Sequence, residues 1–447
     1  MPSRDFLIIT DAVAPLVEGE TPLAAAGVSR ALAAAGHRTT VLSLGAPETV
    51  ARVPGLARRL RTISASIGDQ SLDLSLYEGR AVLSNSQLMI IGAQPSGRAQ
   101  TAALLGSAVK SLASDGLIAP EVTIGWGETA AAALSATSAA VRLFVLPSGR
   151  VGAPLSPADA QLLGTSLLGG DDDVGSRSLV ALGSLSANAI LAPSASAARA
   201  LGSNPGLAAR ASDEPLVAIR FGSDEPPNDP ATDPALPATY SPANLAGKIE
   251  CRRAVARRCS LALGPRTLLL AVAPLRQGKG GEVVLSALER LSTYDVVAII
   301  PAGGDAEMAE RANLLAIQNP GRISVLHSSD EATERQVRAA ADALLLADDD
   351  DRTGRAAALA QRYGTLPIAV DAGANRDNLV DYDPRSATGS ALLYGSLDAF
   401  QIESAIRRAA ALRADADLWS PLVKALLEQA PRWTAAASAI EELCGQI

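Results

Sequence analysis

The sequence predicts an α/β protein built from two doubly wound, Rossmann-like domains, and three observations lead there. Residues 5 to 44 run strand, helix, strand, with Gly36 at the helix stop, which is a βαβ opening. A second strand-and-helix series starts with the apolar run Thr267 to Ala273 and continues through Asp295 to Ile300 and Leu366 to Val370. Between the two lies a proline-rich stretch, Asp213 to Lys248, whose composition marks a linker or domain boundary. At 447 residues the chain is long enough for about two or three domains with their own cores.

Composition excludes several classes of function. The formal net charge is −8, which argues against a nucleic-acid or anionic-membrane surface as partner. The apolar run at the start is closed by Asp11, far shorter than a secretory signal needs, and no run approaches the roughly 18 apolar residues of a membrane helix. A cytoplasmic protein is the expectation. The three cysteines, Cys251, Cys259 and Cys444, form no Cys-x-x-Cys pair, so neither a disulfide framework nor a zinc knuckle is indicated. Any histidine-based triad or metal site would have to use His37 or His327. Both read as structural, one at a helix stop running into a strand and the other ending a short strand.

In the first half, the strand Asp5 to Thr10 is followed by a long loop, "APLVEGETPLAAAG", and a helix from Ala24 to Ala35. Two alternating segments around Glu78-Gly79-Arg80 read as a hairpin turning at those residues. A helix from about Thr101 to Leu112 leads to the strand of "PEVTIGWGETAAAAL", and Arg142 to Leu146 forms another strand. Gly170 to Ser178, with three aspartates, reads as a solvated loop, and Ser194 as the N-cap of the next helix. In the second half, Lys279 stands in the glycine-rich turn "RQGKGG" at a helix start, where dipole, free N–H groups and ammonium together suit an anion; the alternative is a lysine simply exposed in a turn. Gly303-Gly304-Asp305 reads as a tight turn capped by Asp305.

The stretch Leu344 to Asp383 organises the rest. A short buried strand ends in the four aspartates Asp348 to Asp351, and a helix starts at Gly354, so a loop is expected at a strand's carboxyl end, where open α/β sheets place ligands. A second strand, Leu366 to Val370, ends in a small-residue turn, Asp371 to Asn375.

These residues carry a family resemblance. "RYGTLPI" followed by "VDYD", together with "NDPATDPALPATYSPANLAGK" between Asn228 and Lys248, is similar to the bacterial glycogen synthases and plant starch synthases. The resemblance implies a divergent member of a GT-B type of retaining glycosyltransferase, two Rossmann-like domains facing across a cleft, with the last helix crossing back to the first domain. The implied division is 1–215 for the acceptor-side domain, 216–250 for the interdomain segment, 251–425 for the nucleotide-sugar domain and 426–447 for the crossing helix. The activity it implies is glucose transfer from ADP-glucose to the non-reducing end of an α-1,4-glucan, with no cofactor and no metal.

Carried over residue by residue, the family's acid falls on Asp351, the catalytic candidate, with Thr353 and Gly354 in the turn that opens the helix and Gly373 in the turn after the second strand. Lys279 keeps the family's lysine. Pro274 replaces its arginine, with Arg276 two residues away, and Glu18 stands at or beside the first-domain lysine. Trp126, Gly127 and Glu128 take the place of histidines, Leu146 that of the histidine contacting the donor sugar, and Val370 and Asp371 that of an arginine pair. Sugar transfer passes through an oxocarbenium-like transition state while phosphates gather charge, and preorganised cations usually supply the largest stabilisation. With most of those cations missing, activity is expected to be weak or absent. The other expectation is a catalytically dead pseudo-transferase that binds glucan or an active glycogen synthase; Trp126 is the one aromatic placed to stack a sugar.

Overall fold

The computed structural model describes residues 2–13, 16, 20–81, 86–163, 178–204, 207, 215–303, 305–327 and 330–447. Two compact units make up the chain: Met1–Glu225 with Arg432–Ile447, and Pro226–Pro431.

In the first unit the strands β1 (Asp5–Thr10), β2 (Arg38–Gly45), β3 (Leu56–Ile67), β4 (Gln70–Arg80), β5 (Gln87–Gly92), β6 (Val122–Trp126), β7 (Val141–Val145), β8 (Ala189–Ala192) and β9 (Leu216–Ala218) form one sheet. Their order is β3-β4-β5-β2-β1-β6-β7-β8-β9. From β5 to β9 all neighbours are parallel, whereas β3-β4 and β4-β5 are antiparallel. Parallel strands covered on both faces should be apolar along their whole length, and β6 and β8 are buried at every position. The order reverses direction between β1 and β6, which makes that gap the sheet's switch point.

Three details differ from the expectation. The first helix is Glu20–Ala34, four residues longer at its start, because its alanine-rich sequence propagates back through Pro22, a residue tolerated in a first turn. Glu78, Gly79 and Arg80 are the last residues of β4, paired with Met89, Leu88 and Gln87, so the hairpin turn lies after them. The long strand β3, paired along β4, was not expected: residues 57 to 62 are exposed and carry Arg58, Arg59 and Arg61, which hide its period. The helix after β5 runs Arg98–Ser114. Ser194 caps its helix as expected, accepting from Ala197 N at 3.0 Å.

The last helix, Trp433–Gln446, belongs to the first unit and packs on Glu20–Ala34. Trp433, Ala436, Ala437 and Ile440 enter the core formed by β1, β2 and β6.

In the second unit, β10 (Leu268–Val272), β11 (Val296–Pro301), β12 (Ile323–Leu326), β13 (Ala343–Leu346), β14 (Leu366–Val370) and β15 (Leu392–Tyr394) are parallel throughout. The order β12-β11-β10-β13-β14-β15 is that of a doubly wound nucleotide-binding sheet, with its switch point between β10 and β13. Asp305 precedes the helix Ala306–Gln318, but its carboxylate accepts from Gln277 N in the loop after β10 instead of capping its own helix. No helix among the described residues is long and apolar enough to cross a membrane.

The proline-rich stretch is fastened to the opposite edge of this sheet, where β13 and β14 begin. Tyr240 donates its hydroxyl to Tyr363 O at 2.8 Å, and Tyr363 donates its own to Asp233 Oδ2 at 2.7 Å. Burial, with the Asp233 charge adding to it, pushes the Tyr363 hydroxyl well above its usual range. Asp233 also receives Arg335 Nε at 3.0 Å, and Arg362 donates to Asn228 O at 3.1 Å and pairs with Asp229 at 2.8 Å.

Candidate functional site

The switch point of the second sheet gathers most of the residues singled out by sequence. The loop after β10 carries Arg276 and Lys279 and opens the helix Gly281–Glu289. Arg276 closes that turn through its carbonyl, which accepts from Lys279 N and Gly281 N at 3.2 Å each, while its side chain is exposed. The loop after β13 carries Asp348 to Asp351, and the loop after β14 carries Gly373.

Lys279 Nζ lies 3.6 Å from Asp348 Oδ1 and 3.5 Å from Asp350 Oδ2. Asp350 Oδ1 also accepts from Arg352 Nε at 3.1 Å, so one carboxylate spans two cations. Asp348 Oδ1 accepts from Asp350 N at 3.0 Å, an Asx turn that fixes the loop holding both acids. Arg376, one turn beyond Gly373, pairs with Asp371 at 3.1 Å. Lys279, Arg352 and Arg376 at these strand ends each face an aspartate, whereas the Arg276 side chain of the same loop is exposed. Arg352 and Arg376 escaped the sequence reading because neither falls where the resemblance places a cation.

Asp351 serves the backbone. Its Oδ1 accepts from Thr353 N at 2.8 Å, Thr353 Oγ1 at 3.0 Å and Gly354 N at 3.1 Å. Thr353 Oγ1 in turn accepts from Arg355 N at 3.2 Å, so the two side chains together satisfy free N–H groups at the start of the helix Arg355–Arg362. Gly354 takes the left-handed conformation, φ +64°, that this turn requires. Ala374 N donates to Asp351 O at 2.8 Å, and a Cβ on Gly373 would collide with that same carbonyl oxygen. Asp351, Thr353, Gly354 and Gly373 are therefore brought together in one interlocked pair of turns. Below them Tyr394 donates to Leu346 O at 2.7 Å, its hydroxyl pushed up by burial and by the charge of Asp349. Close by, Asn375 is buried with neither amide atom hydrogen-bonded.

At the switch point of the first sheet the chemistry is apolar. Trp126 ends β6 and is 1% exposed, packed on Phe221 with ring centroids 5.3 Å apart and on Trp433 at 6.2 Å. Phe221 and Trp433 stack at 5.4 Å. Trp126 was expected to stack a sugar; buried in the core, it has no face to offer one. Its indole N–H has no hydrogen-bond partner, whereas Trp433 donates Nε1 to Glu225 at 2.6 Å and its backbone N to Asp224 at 2.7 Å. Glu128 pairs with Arg98 at 2.5 Å, and Arg98 also donates to Ala153 O at 2.9 Å. Glu18 lies outside the described residues, as do 170–177 of the acidic break and Gly304.

His37 is structural: its Nδ1 accepts from Arg4 N at 3.1 Å and its Nε2 lies 2.5 Å from Glu441 on the last helix. His327 is exposed beyond β12. Among the described residues no group of three His, Cys, Asp or Glu converges in a way that could hold a metal.

No protein-family model matches the sequence. The chain is 30% identical over 215 residues to the glycogen synthase of Lacticaseibacillus casei, covering 48% of this chain and 44% of that protein. It is 29% identical over 232 residues to the glycogen synthase of Halorhodospira halophila, covering 52% and 49%. The match spans about half the length of these curated relatives. In fold, the chain is similar to the catalytic domain of starch synthase IV from Arabidopsis thaliana bound to ADP and acarbose, with TM-score 0.85, 18% identity, and coverage of 100% of this chain and 99% of that one. It is also similar to a sucrose-phosphate synthase from Thermosynechococcus elongatus, with TM-score 0.62, 15% identity, and coverage of 99% and 98%. Over about half its length the chain is thus similar in sequence to glycogen synthases, and over its whole length it shares the two-domain GT-B fold of the starch synthase IV catalytic domain.

Proposed function

We propose that the chain descends from transferases that move glucose from ADP-glucose to the non-reducing end of an α-1,4-glucan, and that its own turnover of that donor is weak or absent. The observation that carries this reading is the ion pairing at the second switch point, where Lys279 is engaged by Asp348 and Asp350. A transferase of this class needs positive charge held ready for the leaving diphosphate, and one lost preorganised contact typically costs about 10²–10³ in rate. By the resemblance, Lys279, Arg276, Thr353, Gly354, Gly373 and Glu18 are assigned to donor binding and Asp351 to catalysis. With Asp351 Oδ1 committed to three donors, that acid has little freedom to follow a reaction.

A second reading is favoured by the same pairing: a pseudo-transferase that keeps the two-domain frame and holds α-glucan, or an active synthase, without turnover. Purified protein with labelled ADP-glucose and glycogen should incorporate no more label than its Lys279→Ala, Asp351→Ala double variant. Turnover well above that variant selects the enzyme reading; glycogen retention in a pull-down without turnover selects the second.

A further inference from the structure

We propose that Asp348 and Asp350 determine what the second switch point accepts: their carboxylates occupy Lys279 as an internal anion and exclude a nucleoside diphosphate. This rests on the reading that the site descends from one for nucleotide sugars.

The geometry is that of an anion already bound. Lys279 comes from the strand on one side of the switch point and the acids from the strand on the other, so the contacts at 3.6 Å and 3.5 Å bridge the gap where a ligand of such a sheet would lie. Asp350 reaches Lys279 with one oxygen and Arg352 with the other, as a phosphoryl group linking two cations would. The bond from Asp350 N orients the Asp348 carboxylate, and Arg352 Nε holds that of Asp350. A diphosphate arriving here would have to displace two carboxylates and then remain beside them, and Asp349 and Asp351 add to the same field.

The test is a gain of binding. Calorimetry with ADP, in EDTA and low salt, compares the full chain with the variant Asp348→Asn, Asp350→Asn and with that variant carrying Lys279→Ala. Asparagine at 348 keeps an oxygen for the Asx turn, and a thermal melt of each variant checks that the fold persists. The double variant is expected to bind ADP at least about tenfold more tightly than the unmodified chain, since two like charges at close range are removed. Adding Lys279→Ala should abolish the gain. Equal ADP affinity for the unmodified chain and the double variant would overturn the inference while leaving the nucleotide site standing. A gain that survives Lys279→Ala would also overturn it, because the acids would then act at a distance and not by holding the ammonium. If no form binds ADP at millimolar concentration, the nucleotide-site reading falls, and this inference with it.

Discussion

Lys248 Nζ donates to the Tyr363 carbonyl at 2.9 Å, and so fastens the end of the proline-rich segment beneath the strand that leads to Gly373. The same ammonium reaches Ala339 O at 3.1 Å, Ala341 O at 3.0 Å and Thr365 Oγ1 at 3.2 Å, and Lys248 is 6% exposed. Replacing it by methionine removes the charged donor, although the Tyr363 and Ala341 carbonyls keep the Tyr240 and Thr365 hydroxyls, and should destabilise the second unit by about 1.5–3 kcal/mol. Urea unfolding of Lys248→Met against the unmodified chain measures this, and a loss below 1 kcal/mol would remove the latch.

The same lysine gives a pH dependence. Burial lowers its pKa from 10.5 to about 8, the neighbouring Asp342 charge opposing the shift. Between those values the unfolded chain binds more protons than the folded one, so stability rises with pH across that window. The cost of burying the charge is thus fully present below about pH 8 and relieved above it. The stability difference between the unmodified chain and Lys248→Met should therefore widen from pH 8 towards 10.5; a flat or narrowing difference contradicts the assignment.

Asp342 collects Arg252 Nε at 3.0 Å and Leu269 N at 2.8 Å on one oxygen and Arg413 Nε at 3.1 Å on the other, and is 2% exposed. Alanine at this position strands buried charge and should cost about 3–5 kcal/mol. Chemical denaturation reads the effect, and Asp342→Asn should recover part of it by keeping the bond to Leu269 N.

The two indoles of the first unit should respond differently to the same change. Trp126→Phe removes ring area but no hydrogen bond, because its N–H has no partner, whereas Trp433→Phe deprives buried Glu225 of a donor. The second substitution should cost about 1–3 kcal/mol more than the first. Equal melting shifts would show that the bond to Glu225 carries no weight.

Asp351→Ala removes the acceptor for three donors at one helix start and should cost about 0.5–2 kcal/mol, with Asp351→Asn milder. Thermal melts of both variants decide it, and a neutral alanine variant would mean the cap is not formed in solution.

Much of this architecture was legible in the residue pattern. Strands buried on both faces, such as β10 and β14, must be continuous apolar runs, and the glycines at 354 and 373 mark the tight turns around them. What stayed hidden depends on partners distant in sequence. The run Asn228 to Lys248 carried the most specific resemblance, yet its contacts lie at the strand starts of the second sheet, away from Lys279: the match reports a packing constraint. Trp126 read as the one aromatic placed to stack a sugar, while the rings it packs on, Phe221 and Trp433, are far away in the sequence. Asp351 is the exception: it matched a catalytic position, yet its donors Thr353 and Gly354 stand two and three residues on, the spacing of an Asx turn.

The return of Arg432–Ile447 to the first unit has a consequence for biosynthesis. A ribosome releases residues 226–431 before the helix that supplies Trp433, so the second unit can mature while the first still has a bare groove along Glu20–Ala34 where that indole belongs. The first unit is sealed only once residues 432–447 have emerged, and until then the apolar face that receives Trp433 is uncovered.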